Sequence, residues 1–350
     1  MRIGPSDCTV VAVTFLLISC SPAATDREFT PVAEVGAPIV TIGVEDGAGV
    51  VFGSIGDVAV RADGSILVAD PVSARIWHLT EQGTLIASFG GRGDGPGELQ
   101  SPIEVALLPS NEYVILDADR FRLTRVRIRG TEHEYAGDIP IAFQALHLCS
   151  QGDELILDPY AGAHALTRID LNGTVITEIG PLPVDLDPSF GEDGQEFLRN
   201  RLGTGVPICS ANGDVAFLPE WDPTIHVFAR DGVQESVHTL SPHTTLEWRV
   251  GDAGRPDPVL SPEGWVHRAV SFNPMGTEFL VAQLAAFDGS RGSRDADPIE
   301  LRVIRRSDGG QARIELTLPR LAYIDNGEAW AWSNVPYPHV VRIPFRIVER

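Results

Sequence analysis

"IGDVAVRADGSILVADPVSARIWHLTEQGTLIASFG", residues 55–90, is the stretch that decides the fold. "DVAVRA" alternates, "DG" offers a tight turn, and "SILVAD" is an apolar run. "PVSA" turns again, "RIWHLT" alternates, "EQG" turns, and "TLIASFG" closes the unit. Four short strands joined by tight turns make one antiparallel meander.

The same pattern returns along the chain, at residues 101–139, 143–180, 205–240, 267–318 and 320–348. Its first turn falls on Gly64, Asn111, Gly152, Gly213, Gly276 and Gly327. Those positions lie roughly 40 to 60 residues apart, the length of a four-stranded blade plus insertions. The last copy stops after its third strand. "PIVTIG", Pro38 to Gly43, resembles "TLIASFG" and "TVITEIG" and supplies the missing fourth strand. The predicted fold is therefore all-β: a six-bladed β-propeller of four-stranded antiparallel blades, its ring closed by an N-terminal strand that completes the C-terminal blade. Residues 31–350 form one domain, and a seventh blade would have to hide in the long insertion at 241–266. A second long connection, 181–204, carries room for a short helix.

From about Phe29 onward the chain resembles the NHL-repeat and related six-bladed propellers. The resemblance rests on "DGSILVAD" (63–70), Arg75-Ile76 and "FGGRGDGPGELQSPIEVAL" (89–107). It is clearest in the first blade and thins through blades four to six. In that family, a glycine-rich linker ending in proline leads from one blade into the innermost strand of the next.

That linker has two rival readings. Gly91, Gly93, Gly95 and Gly97 could cradle phosphate, but Pro96 stands where a dinucleotide loop needs its third glycine, and a strand rather than a helix follows. Arg92-Gly93-Asp94 is also the adhesion tripeptide, a sequence that arises easily in a glycine-rich acidic loop. The structural reading is preferred: glycines for bends and Pro102 to open the next strand.

Candidate site residues come from repeat symmetry. The second strand of each blade ends in Asp70, Asp117, Asp158 and Glu220, with Gln283 and Asn334 in the last two blades. All should stand near one mouth of the channel. They could cap their own turns, bind a partner, or hold a divalent cation, which wants several oxygens. Resemblance to six-bladed lactonases implies a Ca²⁺-like ion there, the sole cofactor considered; no metal ligand set is assigned. His164 and His147 are placed to line the channel, and Trp221 beside Glu220 is a candidate recognition surface together with Trp248 and Trp265. Cys149 and Cys209 occupy matching points of two repeats and read as two small buried thiols rather than a bridge. No G-x-S-x-G elbow is present.

The N-terminus carries an apolar run, Thr9 to Ile18, ending in Leu17-Ile18-Ser19-Cys20. It resembles a bacterial lipobox. Residues 1–19 are expected to be a lipoprotein signal peptide, Cys20 the lipidation site, and 20–30 a flexible tether. All 27 basic residues are arginine, and the formal net charge is −21. Such a surface repels nucleic acid and anionic membrane, so membrane contact is expected only through the anchor. The reading that follows is an exported, lipid-anchored, monomeric propeller in the bacterial cell envelope. It binds a protein, peptide or glycan ligand on one face, and is a binding protein more than an enzyme. The alternative is a metal-dependent hydrolase or lyase of the lactonase type, acting at the channel mouth.

Overall fold

The computed structural model describes residues 30–349, apart from 44–49, 119, 161, 182–188, 211, 212, 223, 245, 252–255 and 290–297. The signal, Cys20 and most of the tether lie outside the described residues. Two strands come first, β1 (Pro31–Val35) and β2 (Val40–Ile42). Blade 1 is β3 (Asp57–Val60), β4 (Ile66–Asp70), β5 (Arg75–Leu79) and β6 (Leu85–Gly90). Blade 2 is β7 (Pro102–Leu108), β8 (Glu112–Asp117), β9 (Arg122–Arg129) and β10 (Glu132–Pro140). Blade 3 is β11 (Ala145–Gln151), β12 (Glu154–Pro159), β13 (His164–Asp170) and β14 (Val175–Pro181). Helix α1 (Glu192–Leu202) leads to blade 4: β15 (Gly205–Cys209), β16 (Val215–Pro219), β17 (Thr224–Phe228) and β18 (Gln234–Thr239). Among its described residues the 241–266 insertion forms the hairpin β19 (Glu247–Val250) and β20 (Pro256–Val259) and no seventh blade. Blade 5 is β21 (Val266–Met275), β22 (Phe279–Phe287), β23 (Glu300–Arg305) and β24 (Gln311–Glu315). Blade 6 is β25 (Arg320–Asp325), β26 (Glu328–Ser333) and β27 (His339–Glu349).

The ring closes as the sequence requires. Thr41 of β2 pairs with Val341 of β27, and β1 pairs further along the same long strand, from Val35↔Phe345 to Pro31↔Glu349. The first-turn residues Gly64, Asn111, Gly152, Gly213, Gly276 and Gly327 all have positive φ, between 56° and 101°. That conformation is open to glycine and, at moderate cost, to asparagine, which is why one of the six positions is Asn. Second strands such as β4 and β8 are buried along their whole length, matching their unbroken apolar runs.

An innermost strand pairs on one side only, so its free edge needs other partners. The chain supplies one at every blade junction. Asp57 accepts the Val105 N–H (3.0 Å), Glu104 the Leu148 N–H, and Asp158 the Gly205 N–H (3.4 Å). Glu220 accepts from Arg268, Gln283 from the Leu321 N–H (2.6 Å), and Asn334 from the Ile55 N–H (2.8 Å). The Asn334 bond crosses the seam between the last blade and the first, so closure is stapled as the other junctions are.

One expectation is overturned. Cys149 and Cys209 form a disulfide, with Cα atoms 5.7 Å apart. Matching points on inner strands converge on the channel wall, and β11 and β15 are neighbours there, so equivalence in the repeat brings the thiols together.

Blades 1 and 2 share a polar chain. The Tyr113 hydroxyl lies 2.8 Å from His133 Nδ1, His133 Nε2 lies 2.9 Å from His78 Nδ1, and His78 Nε2 lies 3.0 Å from Ser65 Oγ. Ser65 in turn donates to Asp63 (2.6 Å). Burial, with the charges of His78 and Arg61, pushes the His133 imidazole down to about 4. An unfolded histidine titrates near 6.5, so between about pH 6.5 and 4 the unfolded chain binds more protons. Stability should therefore fall as pH drops through that window, by about 1–2 kcal/mol once solvent screening is allowed for. Urea melts from pH 7 to 4 check this, and a His133→Gln variant should lose that share of the slope.

Candidate functional site at the channel mouth

Four of the six inner strands are bulged, and the bulges fall where side chains reach the channel. The register shifts lie between Pro102 and Glu104 in β7, Ala145 and Leu148 in β11, Ala269 and Ser271 in β21, and Leu321 and Tyr323 in β25. A bulge re-aims the side chain beside it. The result is a cavity of about 230 Å³ on the axis, whose polar lining includes Asp57, Glu104, His147, Ser271, Asn273 and Arg320.

Glu104 is the hub. One carboxylate oxygen receives the His147 Nδ1–H, and the other the Leu148 N–H. Burial alone would lower the His147 imidazole, but the charge and hydrogen bond of Glu104, helped by Asp158 and Glu220, raise it to about 9. Asp57 is raised too, but by burial rather than against it. Burial, then the nearby Glu104 charge, raises its carboxyl to about 7, against the pull of the Val105 and Val58 amides. Asp158 reaches about 7 chiefly by burial, opposed by the His147 charge and two backbone amides. The cavity thus holds an imidazole that is cationic at neutral pH and a carboxyl that titrates near neutrality, both raised above their ordinary values, so that a proton donor and a proton acceptor coexist between about pH 7 and 9.

The residues singled out by repeat symmetry have divided roles. Asp70 is fully buried and takes the amides of Gly53, Ser54 and Ser73 and the indole N–H of Trp77. Asp117 is likewise buried and takes the amides of Gln100 and Ser101. Their oxygens hold the approach to an inner strand and do not converge on a point. Among the described residues no group of three or more His, Cys, Asp or Glu could hold a metal ion, so the donor set does not fit the Ca²⁺-like ion considered from sequence. Glu220 is tied to Arg268 and to the Thr204 hydroxyl (3.3 Å).

Trp221 is 2% exposed and packs edge-on to Phe287, within an apolar cluster that takes in Leu246, Leu202 and Trp248. It is a packing residue rather than a recognition surface, because residues of the 241–266 insertion cover it. His164 opens β13 and lies 2.8 Å from Glu178 and 3.2 Å from the Gly180 carbonyl. It sits at the junction of the two outer strands and does not line the cavity.

The glycine-rich linker is held down by its own neighbours. Arg92 donates to the Val72 and Gln100 carbonyls, and Asp94 accepts from Arg120 (2.8 Å) and Gln100 (3.1 Å). At Gly90, φ is +94° and a Cβ would lie 2.6 Å from Leu99, so glycine is required there for shape.

Symmetry at the ends of second strands missed Asp57 and Glu104. A signal was present: Asp57, Glu104 and Arg320 each stand seven residues before their own first-turn residue. A charged side chain at or near the start of an innermost strand has the end of the channel as its main destination.

No protein-family model matches the chain. No curated protein matches it either. Solved structures do. A member of the DUF4221 family from Bacteroides vulgatus superposes with a TM-score of 0.59 at 12% identity, covering 91% of this chain and 99% of that one. A putative exported protein from Bacteroides fragilis gives 0.54 at 10% identity, with coverages of 92% and 98%. The virginiamycin B lyase of Staphylococcus aureus gives 0.51 at 7% identity, with coverages of 89% and 99%. Identities this low establish the propeller fold alone.

Proposed function

We propose that the chain is an exported propeller enzyme that carries out acid–base chemistry, hydrolysis or elimination, on a small substrate at the channel mouth. The observation behind this reading is that His147 and Asp57 line one cavity and both are raised, His147 to about 9 and Asp57 to about 7, which leaves a charged imidazole and an ionisable carboxylate together between those values. At neutral pH His147 is charged and hydrogen-bonded to Glu104, ready to give a proton to a leaving oxygen or nitrogen. Asp57, half ionised near pH 7, takes one from water or from a carbon next to a carbonyl. The likeness in fold to a lyase lends support to an enzyme over the binding scaffold favoured from composition and insertions. Export, with a lipid on Cys20 holding the protein to the envelope, belongs to the same proposal and is readable by membrane fractionation.

The test is turnover of a panel of esters, lactones and cyclic depsipeptides, followed by a pH profile on any substrate found. We expect kcat/KM to rise through about pH 7 as Asp57 ionises and to fall through about pH 9 as His147 loses its proton. Chelator should leave the rate unchanged. A flat profile over pH 6–10, or turnover that survives loss of both groups, would remove these residues from the mechanism.

A further inference from the structure

We infer that Asp158 is a positioning residue, which holds the bulge of β11 so that His147 meets Glu104 at the junction of blades 2 and 3. The inference deepens the proposed reaction and rests on that reading for its functional meaning. Asp158 is fully buried at the end of the second strand of blade 3, the same repeat position as Asp70 and Asp117. Those two hold the approach segments, at 53–54 and 100–101, before the inner strand begins, and Asp70 also caps its own turn at Ser73 and takes the Trp77 indole N–H. Asp158 is different. One oxygen accepts the N–H groups of both Leu146 and His147, the two residues of the register shift itself, and the other accepts Gly205 N–H of blade 4.

A bulge leaves its extra amides without ladder partners. Asp158 supplies them, so one carboxylate fixes the backbone from which the imidazole projects. Two residues further on, Cys149 bonds to Cys209 and ties β11 to β15 a second time. The groups whose charges bear on His147 are Glu104 of β7, Asp158 of β12 and Glu220 just past β16, and Asp57 of β3 interacts with it in return. Of these, only Asp158 also touches the His147 backbone through a side-chain hydrogen bond.

The test is NMR, on the whole folded domain, of the His147 imidazole and of the Leu146 amide, in Asp158→Asn and in Asp117→Asn as the matched control. In Asp158→Asn the His147 midpoint should fall by about one pH unit or more, and Leu146 amide exchange should quicken by about tenfold. Asp117→Asn should move neither. A folded Asp158→Asn protein with His147 and Leu146 unchanged overturns the inference, as does an equal response in Asp117→Asn. Should Asp158→Asn not fold, the wild-type protein decides. The amide shifts of Leu146, His147 and Gly205 should share one inflection near the Asp158 midpoint, and three independent curves would reject the clamp. None of these readouts needs turnover, so a protein silent in every assay can still carry the clamp, and loss of the clamp leaves the acid–base proposal to its own pH profile.

Discussion

Replacing both Cys149 and Cys209 with alanine is expected to cost about 4 kcal/mol of stability. The bridge closes a sequence separation of 60 residues, and a cross-link of that span removes much conformational freedom from the unfolded chain. Its position adds to the effect. It joins the inner strands of blades 3 and 4, whose connection runs through 182–204 and α1 instead of a short linker like the one between blades 1 and 2. The bond from the Gly205 amide to Asp158 is long at 3.4 Å, and the shorter ties across that junction, Gln151 to the Asp214 carbonyl (2.8 Å) and Arg230 to Glu154 (2.8 Å), lie further along the blades. Urea melts of wild-type and double-alanine protein measure the difference, and wild-type protein melted in excess dithiol should reproduce it. A shift below about 1 kcal/mol would mean that the junction is held by packing of the blade faces.

The ring was legible in the sequence because two kinds of signal agreed. Alternating strands between Gly, Asn and Asp turns gave the blade, and an orphan fourth strand, Pro38 to Gly43, gave the closure. Both rest on local chemistry: the positive φ of the first turn and the two-residue period of a strand. The site was less legible because it is built from departures from that period. A bulge changes which way Glu104 or His147 points, and counting along an ideal strand cannot find it. The second-strand carboxylates stood out for the opposite reason: they repeat faithfully because every blade must secure its inner strand. Asp70 and Asp117 are regular and structural, whereas Asp158 keeps the regular position and turns its oxygens to a different use. The disulfide was not legible because matching points on neighbouring repeats point the same way and need not face each other; the convergence of inner strands toward the axis is what brings Cys149 and Cys209 together.

His147→Gln should lower kcat/KM by about 100- to 10 000-fold on any substrate that passes the screen, the range expected for loss of a positioned general acid. Glutamine can still donate to Glu104, so the junction staple from Glu104 to Leu148 should survive and the fold with it. What is lost is the proton. The falling limb near pH 9 should vanish with it, while the rising limb of Asp57 persists and moves to higher pH, because the His147 charge no longer lowers that carboxyl. Glu104→Gln gives the complementary result. Without that charge and hydrogen bond, burial pulls the imidazole down from about 9, and the falling limb should move to lower pH by two units or more. Around neutrality the variant then holds an uncharged His147, so its rate should fall at pH 8 yet recover partly in acid. A structural defect would depress the rate at every pH alike. The pair therefore separates a proton donor from a merely buried polar contact: a His147→Gln enzyme within twofold of wild type, or a Glu104→Gln profile of unchanged shape, would show that the chemistry of this channel lies with other residues.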